Sequence, residues 1–101
     1  MIKFSVLYGH PEDPDAFEEN YANIHMPFVD KIPNVPRFES GRVVATPDGS
    51  EIPYHRIAEF WFEDEEKMQS SLNSEEGQAA VNDLPNFATG GVTNFISEVE
   101  A

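Results

Sequence analysis

The sequence predicts an α+β domain with the element order β-α-β-β-α-β, a four-stranded antiparallel sheet covered on one face by two helices. Three observations lead there. Residues 2–8, 38–46, 54–62 and 92–99 read as strands. Two of the intervals between them open with helix caps and carry apolar residues at helical spacing. The 101 residues, 40% apolar and 12% aromatic, suit one domain over residues 1–101 with its own core, and argue against disorder.

In the first strand Ile2, Phe4, Val6 and Tyr8 point one way and Lys3, Ser5 and Leu7 the other. Gly9-His10-Pro11 ends it. Asp13-Pro14 then starts a helix, with a capping carboxylate before a proline at the first helical position. Phe17, Tyr21, Ile24 and Phe28 form one helical stripe. Pro27 lies inside it and is expected to end or kink the helix near His25-Met26, with a further short turn before Pro33. The second and third strands form a hairpin with a long tip, turned by Thr46-Pro-Asp-Gly-Ser50. Asp64 caps the second helix. Asn73-Ser74 interrupts it, and Ser74-Glu-Glu restarts it with a new cap and an acidic first turn. Ala80, Val81 and Leu84 supply its apolar face as far as Pro85, and Gly90-Gly91 leads into the last strand.

The split-βαβ, ferredoxin-like arrangement is the usual solution for this order. Alternation leaves large apolar groups on both sheet faces. Tyr54, Ala58, Phe60 and Phe62 share one side of the third strand; Ile57 and Trp61 lie on the other with His55 and Glu59. Two helices cover one face only, so a second copy of the chain is expected on the other, in a homodimer packed sheet to sheet.

Composition excludes several function classes. Six Lys+Arg against nineteen Asp+Glu give a formal charge of −13, which would repel phosphate backbones and anionic lipid. No nucleic-acid or membrane partner is expected. Without cysteine there is no disulfide, iron–sulfur cluster or thiolate zinc site. The residues after Met1 do not read as a signal peptide, and the longest uncharged run, residues 84–97, is broken by proline and glycine; the expected location is the cytoplasm. Nine of the acids (Glu12, Asp13, Asp15, Glu63, Asp64, Glu65, Glu66, Glu75 and Glu76) sit at or just before helix starts, where the macrodipole favours them.

His25 is the leading candidate for chemistry. It follows Tyr21 by one turn and precedes the Pro27 break, where a helix end would favour cationic imidazole and a pKa close to neutral. It reads either as a general acid/base at the mouth of a helix–sheet pocket or as a structural histidine bonded to a carbonyl freed by Pro27. Asp83 opposes the dipole of its helix, which calls either for a structural partner, a histidine or the amides near Pro85-Asn86-Phe87, or for a catalytic role. Tyr21 is a candidate to orient a substrate oxygen. Phe17, Phe28, Phe38, Phe60 and Phe87 are core residues that can also line an apolar ligand cleft. No two histidines have metal-pair spacing, and no calcium-loop pattern is present, so no metal site is expected.

Tyr21-Ala-Asn-Ile-His25-Met-Pro27 resembles the tyrosine/histidine/proline signature of the EthD family, named for ethyl tert-butyl ether degradation. Ile32-Pro33, the strand Ile57-Ala-Glu-Phe-Trp-Phe62, Leu72-Asn-Ser-Glu-Glu-Gly77 and Asp83-Leu-Pro-Asn-Phe87 are similar to it in the same order. The resemblance implies a dimeric α/β-barrel in which two subunits join their sheets. It maps the family's helix histidine onto His25 and its aspartate and aromatic onto Asp83 and Phe87. It also implies an association with oxidative catabolism. The wider superfamily includes cofactor-free monooxygenases, isomerases, polyketide cyclases and haem-degrading enzymes. Phe38 and Phe60 stand where methylisomerase-like relatives carry a tyrosine and a cysteine. The expected function is proton transfer by His25 to or from a hydrophobic small molecule, oriented by Tyr21, with no cofactor required. The alternatives are a non-catalytic ligand-binding or stress-associated dimer, and haem binding through an axial histidine.

Overall fold

The computed structural model describes residues 1–100. Its sheet runs in the order β2-β3-β1-β4 with every neighbouring pair antiparallel, from β1 (Ile2–Tyr8), β2 (Arg37–Arg42), β3 (Arg56–Phe62) and β4 (Val92–Glu98). This is the ferredoxin-like arrangement expected from the element order. Alternation divides the two faces as anticipated. Val6 and Tyr8 on β1, with Ala58, Phe60 and Phe62 on β3, are buried under the helices.

The hairpin strands are shorter than the aromatic pattern suggested. β2 stops at Arg42 and β3 begins only at Arg56, and the tip between them contains Pro47 and Pro53. His55 thereby escapes the strand alternation. It turns to the helix side instead of joining Ile57 and Trp61, and its Nε2 meets Glu18 Oε2 at 2.9 Å.

The first helical arm does not break at Pro27. It runs as α1 (Pro14–Asn20), one π-helical turn (Tyr21–His25) and α2 (Met26–Val29). Asp13 caps α1 by accepting from the Ala16 N–H at 3.1 Å. In the π turn the Met26 N–H reaches back to the Tyr21 carbonyl, one residue further than in an α-helix. The wider turn takes up the strain that a proline without N–H imposes on the preceding carbonyls. It also re-aims the side chains. The buried stripe becomes Phe17, Tyr21, His25, Val29 and Ile32, while Ile24, expected inside, is 48% exposed.

The second arm follows its caps. Asp64 accepts from the Lys67 N–H at 2.8 Å to open α3 (Glu65–Asn73). Ser74 accepts from the Gly77 N–H at 3.0 Å to open α4 (Glu75–Asp83), which tightens into a 3₁₀ turn at Leu84–Asn86. At this junction α4 crosses the end of α3 so closely that a methyl group on Gly77 would strike the carbonyls of Ser71 and Leu72.

The opposite sheet face has no helix. Leu7, Ile57 and Trp61 are half-buried there, and Phe95 is 54% exposed. Its charges are paired: Lys3 Nζ lies 3.0 Å from Glu59 Oε2, and Arg37, bonded to Glu39, stacks 4.5 Å from the centre of the Trp61 ring.

The junction of α3 and α4 gives a graded test. Ser74→Ala should lower stability by about 1 kcal/mol through loss of the cap. Gly77→Ala should cost more, about 3 kcal/mol, because two backbone carbonyls must move. Urea denaturation of both variants checks the order.

Candidate functional site

The π turn delivers His25 to the middle of the helix–sheet layer. The residue is 4% exposed, and its Nδ1–H donates to Asp83 Oδ2 at 3.0 Å; Asp83, at the end of α4, is 5% exposed. The other carboxylate oxygen of Asp83 accepts from Asn86 Nδ2 at 3.0 Å. Asp83 thus finds the histidine partner that its unfavourable place on the dipole called for. The Phe87 ring centre lies 4.7 Å from that of His25, and Tyr21 lies 5.6 Å away. Because the helical arm continues past His25, no helix end supports a cationic ring. Burial pushes the imidazole below its usual pKa, against the pull of Asp83. The ring is therefore neutral at pH 7, with its proton on Nδ1 and a lone pair on Nε2.

His25 lines a cavity of about 90 Å³ between the helices and the sheet. Its walls are mainly apolar: Phe4, Val6, Val29, Ile32, Phe60, Leu72, Ala80, Val81 and Leu84, with Tyr8, His25 and Asn94 as the polar members. Of the five phenylalanines singled out for a ligand cleft, Phe60 alone belongs to this wall. Phe17 and Phe87 pack against each other, 5.1 Å between ring centres, and face a separate hollow near Asp13 and Asn20. Phe38 packs at a tilt against Phe60, 4.7 Å between ring centres, and Phe28 is half-buried beside Lys31 and Glu75. Tyr21 is not part of the wall either. A larger depression of about 350 Å³ lies along Gly41–Ala45 of the hairpin and includes Ile57 and Glu59 of the open sheet face, away from His25.

The Tyr21 hydroxyl instead meets Ser40 Oγ at 2.6 Å, and Arg56 Nη1 donates to the same Ser40 oxygen at 2.9 Å. The Arg56 guanidinium lies 4.4 Å from the centre of the Tyr21 ring and is bonded to Glu18, which also takes His55. Burial opposes ionisation of Glu18, yet the hydrogen bonds from Arg56 and His55 prevail and hold its carboxyl below the usual value. Sequence reasoning missed Glu18, Ser40 and Arg56 in this cluster. Strand alternation placed Tyr8 on the inner face, and that signal could have marked it as a cavity residue. Among the described residues no three His, Asp or Glu side chains converge as metal ligands, and no helix is long and apolar enough to cross a membrane.

These features define a small ferredoxin-like protein with a buried histidine–aspartate pair beside an apolar cavity. The EthD domain model matches residues 9–91, and the chain belongs to the EthD family. It is 38% identical over 100 residues to an uncharacterized 11.0 kDa protein of the thcB-thcC intergenic region of Rhodococcus erythropolis, covering 99% of this chain and 96% of that one. The crystal structure of an EthD family protein from Bacillus halodurans superposes with a TM-score of 0.91 at 35% identity, over 99% of both chains. A dimeric ferredoxin-like protein of unknown function from Thermobifida fusca shares the fold at 13% identity, with a TM-score of 0.74 over 97% of this chain and 90% of that one.

The depressed His25 pKa sets a pH dependence. Above the ordinary histidine value of about 6.5 the ring is neutral folded or unfolded and contributes nothing. Below it the unfolded chain binds the proton first, so stability falls with pH until the folded ring also titrates. His25→Gln should flatten this acid limb relative to the wild type, as read by thermal melts between pH 4 and pH 8.

Proposed function

We propose that this chain binds a compact, largely apolar carbonyl compound between its helices and its sheet, and that His25 takes a proton from the carbon next to the carbonyl. The observation that carries this reading is the buried His25–Asp83 hydrogen bond at the wall of the cavity. A neutral imidazole with its proton turned to a carboxylate has the form of a general base. Asp83 is the positioning residue: it selects the tautomer and steadies the imidazolium once the proton arrives. The apolar walls exclude water, which strengthens these interactions. Such proton abstraction begins an isomerisation, and it also begins a cofactor-independent oxidation. A cavity of about 90 Å³ favours a compact ligand over a macrocycle such as haem, since drug-sized sites run to roughly 300–1,000 Å³.

The test needs no known substrate. In heavy water, with small aryl ketones, the protein should speed α-proton exchange over buffer. His25→Gln should cut the enhancement by about 10²–10⁴, and Asp83→Asn should lower it too. Equal rates for protein and buffer, by proton NMR, would leave the cavity a binding site without catalysis.

The same reading includes a homodimer through the open sheet face. Leu7, Ile57, Trp61 and Phe95 provide apolar area, and the nearby charges are already paired within the chain. In sedimentation equilibrium at micromolar concentration the protein should run at twice its chain mass; a single-chain mass overturns the dimer. Trp61→Glu should shift the balance to single chains.

A further inference from the structure

A base that removes a proton beside a carbonyl needs a second group. As the C–H bond breaks, its proton goes to Nε2 of His25. The electron pair forms a carbon–carbon double bond, and the carbonyl π pair moves onto oxygen. That oxygen becomes an enolate and requires a donor already in place. His25 cannot serve, because its one N–H is committed to Asp83. The wall has two other polar residues, Tyr8 and Asn94.

They differ sharply. Asn94 is exposed on the edge strand β4. Tyr8 is 2% exposed on β1, paired on one side with β3 and on the other with β4, so its backbone is held from both sides. Its ring is wedged edge-on against Phe17 and Tyr21, with centres 5.4 and 5.8 Å apart, and Phe87 closes the cage at 5.9 Å. Among the described residues no hydrogen bond joins the Tyr8 hydroxyl to a protein group, whereas the Tyr21 hydroxyl is already paired with Ser40 Oγ at 2.6 Å. Tyr8 lines the cavity, so its hydroxyl can donate to a ligand oxygen there without first breaking a bond within the protein.

We propose that Tyr8, and not Tyr21, is the donor that receives the carbonyl oxygen of a ligand in the His25 cavity. The inference rests on the cavity proposed above and names the acceptor chemistry it selects: an uncharged carbonyl compound, or the enolate formed from it. Burial first, and Tyr21 second, raise the phenol's pKa above its usual value. Tyr8 therefore stays protonated as a donor throughout the physiological range and does not compete with His25 as a base.

The probes are 4-fluorobenzaldehyde, which cannot enolise, and 4-fluorostyrene, its near-isosteric hydrocarbon. Fluorine NMR titrations give the preference for aldehyde over alkene, and infrared spectra give the carbonyl stretch of the bound aldehyde. Tyr8→Phe should cut the preference about tenfold and shift the carbonyl stretch up towards its value in an aprotic solvent. Tyr21→Phe and Asn94→Leu should retain both the preference and the stretch. The proposal is overturned if Tyr8→Phe keeps the wild-type preference and stretch, or if Asn94→Leu is the variant that loses them. If neither probe binds the wild type, the cavity reading fails and this one with it. If the aldehyde preference depends on Tyr8 while α-proton exchange is absent, catalysis by His25 fails and Tyr8 stands as the oxygen donor of a binding protein.

Discussion

The hydrogen bond between His25 and Asp83 joins residues 58 positions apart and ties the first helical arm to the second above the centre of the sheet. Much of the local structure serves it. A buried carboxylate is tolerated only when paired and hydrogen-bonded, and Asp83 has both oxygens occupied, by His25 and Asn86. For His25 to reach it, the first arm must turn one position further than an α-helix would. The π turn before Pro27 supplies that rotation, and the cost to Ile24 is exposure. The same turn aligns Tyr21, His25 and Val29 on the buried stripe.

Around this bond the polar groups are sorted into two sets that share an aromatic wall. Tyr8, Phe17, Tyr21 and Phe87 stand between them, in mutual ring contact. On one side are His25 and Asp83 with the apolar cavity. On the other, Glu18, Ser40, His55 and Arg56 lock the Tyr21 hydroxyl in place. The second set ties the first helical arm to the β2–β3 hairpin, through Glu18 to His55 and Arg56 and through Tyr21 to Ser40, while the Arg56–Ser40 bond joins the two strands. An arginine shared by a carboxylate and an aromatic face leaves few free donors, so this cluster is better suited to fixing geometry than to taking an anion.

Charge follows the same economy. The acids at helix starts meet the cap positions: Asp13 and Asp64 accept backbone N–H groups, and Glu65, Glu66, Glu75 and Glu76 fill the first turns of α3 and α4. None of the nine acids named at helix starts lies on the open sheet face. Glu39 and Glu59 do, and each is neutralised by a cation of the same chain. A face that is apolar and locally neutral can approach a second copy despite the net charge of −13.

Local signals in the sequence determined the element order, the caps at Asp13, Asp64 and Ser74, the inner faces of β1 and β3, and the EthD resemblance. Each is carried by residues a few positions apart, and short-range sterics and hydrogen bonds are enough to specify it. His25 and Asp83 were legible as candidates because each sits awkwardly in its own helix. What the tertiary structure decided is how they are used. Periodicity assumes an unbroken α-helical turn, so it placed Ile24 inside and gave His25 a helix end; the π turn reversed the first and removed the second. Tyr21 looked like the polar handle from its place beside His25, yet Ser40, 19 positions away on β2, claims its hydroxyl. Tyr8 gained its place at the cavity only when β1 was set between β3 and β4. Side-chain partners of this kind depend on contacts between residues far apart in the chain, and no local pattern encodes the geometry that brings them together.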